Sequence, residues 1–174
     1  LADLLLRLAA LGASTMTGVA RFLSGLDGAA VWVVSPNRFE VLLLYAVLVF
    51  GIFALRGRFR FLLLASCLVL AADVGYWVHQ TALRRDLRVT YLDVGQGNAA
   101  LVQLPRGKRM LVDGGGFRTG DFDVGRMVVA PYLWRQKIAR IHTLVLSHPE
   151  ADHMNGLGFI AAHFSPDALW WSGD

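Results

Sequence analysis

The stretch SHPEADHMNGL, Ser147 to Leu157, places two histidines, a glutamate and an aspartate between positions 148 and 153. His148 and Glu150 are two apart, so in an extended loop their side chains point the same way. Asp152 and His153 are adjacent and point to different sides. Imidazole nitrogen and carboxylate oxygen are donors that zinc and manganese accept. One short loop of this kind can feed two ions, His148 with Glu150 at one and Asp152 with His153 at the other. Two divalent ions about 3.5–4 Å apart activate a water against a phosphoryl or carbonyl centre. Two readings stand for Glu150: an oxygen ligand to a hard ion such as Mn²⁺, or a solvent-facing charge that leaves the first ion weakly held. The plainer alternative for the whole stretch is an ordinary polar loop.

A metal loop needs elements on both sides to hold it. TLVLS, 143–147, is a continuous apolar run and reads as a strand buried on both faces. GLGFIAAHF reads as the helix that follows, with Gly156 and Gly158 letting the backbone turn tightly into it. Upstream, LRVTYLDV alternates, with Leu87, Val89 and Tyr91 on one side. AALVQL, 99–104, and RMLVD, 109–113, read as a strand and its return around the turn PRGK. GQGN is a tight connection, and Gly114, Gly115 and Gly116 open a loop. Asp113 caps that glycine turn through an Asx bond on its plainer reading. Residues 124–139 read as a helix interrupted by Pro131, and ALWW begins another strand whose edge is expected to be unpaired. The order predicts an α/β layered domain over 86–174. His79, His142 and His163 lack partners at useful spacing and read as structural or exposed, and Trp170 and Trp171 as strand or core.

The first half has a different grammar. Of 174 residues, 55% are hydrophobic and 17% charged, against about 25% charged in an ordinary soluble domain. The excess is concentrated in VLLLYAVLVFGIFAL, 41–55, and FLLLASCLVLAADVGYWVHQTAL, 61–83, joined by a turn carrying Arg56, Arg58 and Arg60. A spanning helix needs roughly 20 apolar residues. The second run is long enough, and the first reaches that length only with Phe39 and Glu40 at the interface. The pair predicts a transmembrane helical hairpin over 39–83, with a buried helical pair in a soluble protein as the alternative. Trp32, Tyr45, Tyr76 and Trp77 lie near the run ends, where interfacial aromatics belong. Asp73 reads either as an interfacial residue or as a group facing a polar path. If the basic loop 56–60 is cytoplasmic, the C-terminal domain lies outside the cytoplasm, although Arg84, Arg85 and Arg88 form a competing cluster. Residues 1–38 read as one or two amphipathic helices, at a membrane surface or packed on the rest of the protein, with Leu4, Leu5, Leu8 and Leu11 at helical spacing. The net charge of +4 is shared evenly between the halves, which excludes a basic nucleic-acid tail. The single cysteine, Cys67, forms no disulfide within the chain and reads as buried in its apolar run.

HPEADH resembles the second motif of the metallo-β-lactamase fold, His-x-His-x-Asp-His, with Glu150 where the common form has histidine. VTYLDVGQGNAALVQL followed by RMLVDGGG resembles the start of that domain in the ComEC-type competence proteins, bacterial channels for DNA uptake. The order of membrane helices, LDVGQG, LVDGG, FDVGRMVVAPYL and metal loop matches that family from about Val41 onward. The resemblance implies a membrane α-helical segment followed by the N-terminal half of an αββα fold. It implies His148, Glu150, Asp152 and His153 as ligands of a two-ion Zn or Mn site, with Asp152 also catalytic. Asp113 matches the strand-end aspartate that orients the metal loop, and Asp93, Gly95, Gln96 and Gly97 match a family-specific turn near the site. Asn98 stands where family members usually carry aspartate. It further implies a multi-pass protein of the bacterial inner membrane acting in natural transformation. Its partners would be single-stranded DNA, the membrane and other competence-machinery proteins, and its domain would hydrolyse phosphodiesters. Further ligands, a His, an Asp and another His, are expected beyond Asp174, so the chain is expected to be a fragment and inactive alone. A non-catalytic scaffold or gating domain of the same channel, and a soluble metal-dependent hydrolase, are the alternative functions.

Overall fold

Three helices lead the chain and a five-stranded sheet with two covering helices follows. The computed structural model describes residues 2–26, 28–29, 31–118 and 122–173. Helix α1, Ala2–Ser24, is one uninterrupted helix. Its hydroxyl residues do not break it, because Ser14 and Thr15 bond the Leu11 carbonyl and Thr17 bonds the Ala13 carbonyl within the same helix. None of its residues is buried, and residues up to Trp32 form a unit separate from Val33–Asp174.

In the second unit, α2 (Arg38–Ala54) starts at a capping box. The Asn37 side chain accepts from the Glu40 backbone N–H at 2.9 Å, and the Glu40 carboxylate accepts from the Asn37 N–H at 2.7 Å. A basic turn leads into α3 (Arg60–Val78), which runs on into a π-helical turn, His79–Leu83. The two helices pack side by side yet bury little: Glu40 and Leu43 in α2, and Ser66 in α3. Leu48, Phe61, Leu64 and Leu68 stay exposed, and so does Cys67, in contrast to the sequence reading. One contact face against α2 leaves most of the circumference of α3 open. Residues Arg60–Leu83 form the one described helix long and apolar enough to cross a membrane, with mean hydropathy 2.0. Helix α2 spans 17 residues.

The sheet runs in sequence order: β1 (Arg88–Tyr91), β2 (Ala100–Gln103), β3 (Arg109–Val112), β4 (Thr143–Leu146) and β5 (Ala168–Trp171). The first three strands are antiparallel, and β3–β4 and β4–β5 are parallel. The switch follows from the connections, since a short turn over 104–108 joins β2 to β3 whereas helices join β3 to β4 and β4 to β5. Leu101, Leu111, Leu144 and Leu146 bury one face under α4 (Ala130–Arg135), the loop after it and α5 (Ala151–His163), where Leu133, Ile138, Ile160 and Phe164 close the core. Trp134 stacks on Phe164 with ring centroids 5.6 Å apart. β4 is not buried on both faces, because Leu144 and Leu146 are buried whereas Thr143 and Val145 are only half-buried. The helical stretch before β4 is not interrupted at Pro131: a π-helical turn, Gly125–Val129, runs directly into α4, which ends at Arg135 rather than at 139. Pro131 lies in the first turn of α4, a position that tolerates its missing N–H.

The helical pair is fastened to the sheet domain at two places. Lys137, after α4, donates to the Ser35 carbonyl at 2.7 Å and pairs with the nearly buried Glu40 carboxylate at 2.5 Å. Asp73 of α3 lies beside the same Glu40–Lys137 pair, at the junction with the domain. At the far end of α3 the Arg109 guanidinium donates to the Thr81 carbonyl at 2.6 Å, and the Arg106 N–H donates to the Arg84 carbonyl at 3.0 Å.

Candidate metal centre

The site is built at the ends of β3 and β4. Asp113 extends the β3–β4 pairing through its N–H, which donates to the Val145 carbonyl at 2.8 Å. Its backbone then turns left-handed, with φ 59°, a conformation aspartate tolerates better than most side chains. This turn throws the carboxylate across to the end of β4. Oδ1 accepts the Ser147 N–H at 2.8 Å, and Oδ2 accepts the Ser147 hydroxyl at 2.7 Å and His153 Nδ1 at 2.8 Å. Three hydrogen bonds to one carboxylate offset a left-handed residue that costs about 1–2 kcal/mol. The Asp113 carboxylate therefore binds the metal loop itself rather than the glycines after it.

These contacts settle which nitrogens are free. A carboxylate only accepts, so the proton between Asp113 and His153 belongs to Nδ1, and in the neutral imidazole Nε2 is the lone-pair nitrogen. That nitrogen lies 3.9 Å from Asp152 Oδ2. The Ser147 hydroxyl gives its one proton to Asp113 and turns its oxygen to His148 Nδ1 at 3.0 Å, where it accepts. His148 Nε2 is then also a lone pair, 4.0 Å from Glu150 Oε2. The two imidazole rings lie against each other with centroids 3.8 Å apart. Orientation of a histidine by a carboxylate on its other nitrogen is the arrangement that fixes metal-binding imidazoles.

The N-terminus of α5 is held by the two glycine loops. The Gly114 N–H donates to the His153 carbonyl at 2.7 Å, and the Gly156 N–H to the Gly115 carbonyl at 2.9 Å. A Cβ on Gly156 would stand 2.0 Å from the Gly114 carbonyl oxygen, and one on Gly97 would stand 1.6 Å from the Asp152 carbonyl oxygen. Both approaches exclude any side chain. Gly156 and Gly158 therefore do not shape a turn into the helix, since both lie inside α5, and Gly158 has open space around it. In the LDVGQG turn Asp93 accepts the Gly95 N–H at 3.3 Å, and the carbonyls of Gln96 and Asn98 accept from Gly116 and Gly115 at 3.3 and 2.8 Å. Asp93 thus shapes its own turn. Gln96 braces the glycine loop through its backbone carbonyl, and Gly97 packs against the backbone of Asp152 in the metal loop.

The donors fit divalent ions in kind and nearly in spacing. Two ligands about 2.1 Å from a tetrahedral ion stand roughly 3.4 Å apart, close to the 3.9 and 4.0 Å of the two pairs. They do not fit in number. Two donors serve each position, three or four are needed, and no group of three or more His, Cys, Asp or Glu side chains is placed to hold an ion among the described residues. Glu150 is 70% exposed at its side chain and is the looser member of its pair. Two residues are contributors that sequence reasoning passed over. Ser147 links Asp113 to both histidines, and only its position at the strand end hinted at this. Asn155 donates to the Phe117 carbonyl at 2.8 Å and ties α5 to the glycine loop; nothing in its neighbours signalled it. His142 accepts the Arg109 N–H at 3.1 Å, and His163 stacks on Phe159, both away from this cluster.

Residues 92–170, the stretch from the end of β1 to β5, match the family model of the Metallo-beta-lactamase superfamily. The stretch that matches this family model follows a helical N-terminal region. No curated protein and no solved structure matches it.

Proposed function

We propose that this chain contributes half of a two-ion hydrolytic site to a membrane-embedded protein of the DNA-uptake type, and that the substrate is a phosphodiester of DNA. The observation that carries the chemistry is the pairing of His153 Nε2 with Asp152 and of His148 Nε2 with Glu150, both oriented through Asp113 and Ser147. His153 and Asp152 would hold one ion and His148 and Glu150 the other, with the remaining donors supplied from outside the described residues. Divalent ions held by these residues would supply a water-derived nucleophile and positive charge beside the phosphoryl oxygens. Asp113 keeps His153 in the one tautomer that presents Nε2. The order of an apolar helical pair followed by LDVGQG and LVDGG supports the assignment to an uptake channel, and the exposed apolar surface of α2 and α3 supports insertion of both as a hairpin.

The test uses the full-length protein purified in detergent. Elemental analysis is expected to find bound zinc or manganese, and cleavage of a single-stranded oligonucleotide is expected to fall at least about a hundredfold in His153→Ala. Unchanged cleavage in that variant sinks the hydrolytic reading. Absence of both metal and cleavage assigns the domain to scaffolding or gating instead.

A further inference from the structure

The basic surface at the end of α3 has no part in the metal centre. Its shape comes from three local features. The π-helical turn His79–Leu83 widens the end of α3, the chain then leaves extended at Arg84, and the β2–β3 turn packs against the widened end. Gly107 is the contact, since a Cβ there would stand 3.1 Å from Ala82 Cα. Arg106 precedes it in a left-handed conformation, φ 64°, with its side chain exposed. An open groove of about 1150 Å³ results, with Arg84, Arg85 and Arg106 on its walls and Ala82, Leu83 and Pro105 among its lining. A neighbouring cavity of about 310 Å³ adds Arg88 and Trp77.

The cations are unequally committed. Arg84 is held by Asp86, through contacts of 2.5 and 2.9 Å, and by Gln80 at 3.2 Å. Arg85, Arg88 and Arg106 are exposed, and their side chains make no hydrogen bond or ion pair among the described residues. Arg88 acts on Asp86 only through space. Asp86 is the sole acid lining the groove and is already engaged. The groove is therefore a cationic site with unspent donors. Its apolar lining continues into the exposed apolar surface of Arg60–Leu83, and the ring pair Tyr76–Trp77 lies just before it. A phosphate on a hydrophobic tail matches both parts, with the phosphate among the guanidiniums and the glyceryl and acyl groups along Leu83 and the helix.

We propose that this groove binds the headgroup of an anionic phospholipid in the leaflet adjoining the sheet domain. The inference rests on the membrane reading of α3 given above. Free phosphate and nucleic acid share the phosphate chemistry, but neither uses the apolar continuation.

The experiment takes the chain in dodecyl maltoside with an equimolar mixture of phosphatidylglycerol and phosphatidylcholine, and counts retained lipids by native mass spectrometry. The wild type is expected to favour phosphatidylglycerol about tenfold. The preference should fall to within about twofold of unity in the Arg85→Gln/Arg88→Gln/Arg106→Gln variant. It should survive in Arg56→Gln/Arg58→Gln/Arg60→Gln, at the other end of the hairpin. Arg106→Gln alone, an exposed single change, is expected to lower it about twofold and guards against misfolding of the triple variant. A preference unchanged in the triple variant overturns the proposal. So does displacement of the lipid by millimolar inorganic phosphate, or by oligothymidylate at lower concentration, which would make the groove a free-phosphate or nucleic-acid site. Equal retention of both lipids by a detergent-requiring chain overturns the proposal alone. A chain that stays in solution without detergent and retains neither lipid overturns the membrane reading as well.

Discussion

The helical pair α2–α3 is far richer in apolar residues than the sheet domain, and the two regions use them in opposite ways. In the sheet domain, Leu101, Leu111, Leu133, Ile138, Ile160 and Phe164 lose all contact with solvent. In the pair, most residues of the same kind face outward, and the buried residues are Glu40, Leu43 and Ser66. Apolar area stabilises a water-soluble fold only when it leaves water, at about 25 cal/mol per Å². The outward surface of α2 and α3 therefore contributes nothing to folding in water, whereas the sheet domain folds on its core. The two regions are distinguished by what their leucines face as well as by how densely they carry them.

Perturbing each region should expose that difference. The largest effect is expected from Phe164→Ala, which removes a fully buried ring and should cost about 3–5 kcal/mol in urea unfolding followed by near-ultraviolet circular dichroism. Lys137→Ala strikes the seam and leaves the Glu40 carboxylate buried without its cation. A loss of about 3 kcal/mol is expected, and a loss under 1 kcal/mol would mean that the seam is wetter than its geometry. Ser147→Ala removes one hydrogen bond to Asp113 and should cost about 1 kcal/mol. It should also release His148 into a mixture of tautomers by nitrogen-15 NMR, while His153 keeps its own. A smaller, pH-dependent effect belongs to His142. Burial, and next the charges of Lys108, Arg140 and Arg109, hold its pKa below the usual histidine value, against a weaker opposing pull from Asp167. A base with a depressed folded-state pKa contributes stability that is complete above its unfolded value of about 6.5 and is lost as pH falls through the folded value. The unfolding midpoint should fall on acidification from pH 7 to 5, with a shallower fall in His142→Asn. Leu68→Ala, on the open face of α3, should change stability by less than about 0.5 kcal/mol in detergent. A core-sized loss there would show that this face packs against protein.

Legibility in the sequence followed the same division. The strands were readable because alternation in LRVTYLDV and AALVQL is a local signal, and each turn between them is marked by glycine or proline. The helix 2–24 was readable as helical but not as continuous, since the hydroxyls that hinted at breaks bond back within it. Cys67 was misread because an apolar run says how greasy a helix is and not which way each residue faces. In the site, the spacing suggested two pairs, and the fold sets His148 4.0 Å from Glu150 and His153 3.9 Å from Asp152. The role of Ser147 was not legible, because it depends on a carboxylate 34 residues away that arrives through a left-handed turn. The same holds for Gly156, whose neighbours are two other glycine segments brought together only by the fold.

The double fastening of the helices to the sheet domain has a mechanical consequence. A domain hung from a helix by the short link 84–87 alone would swivel about that link. Here a second anchor, Lys137 on Ser35 and Glu40, lies on another element, and the two anchors restrict swivelling to the single axis that joins them. The link is then not a hinge but one corner of a truss. If α3 tilts, the sheet is drawn with it, and the loop 148–153 moves with the sheet.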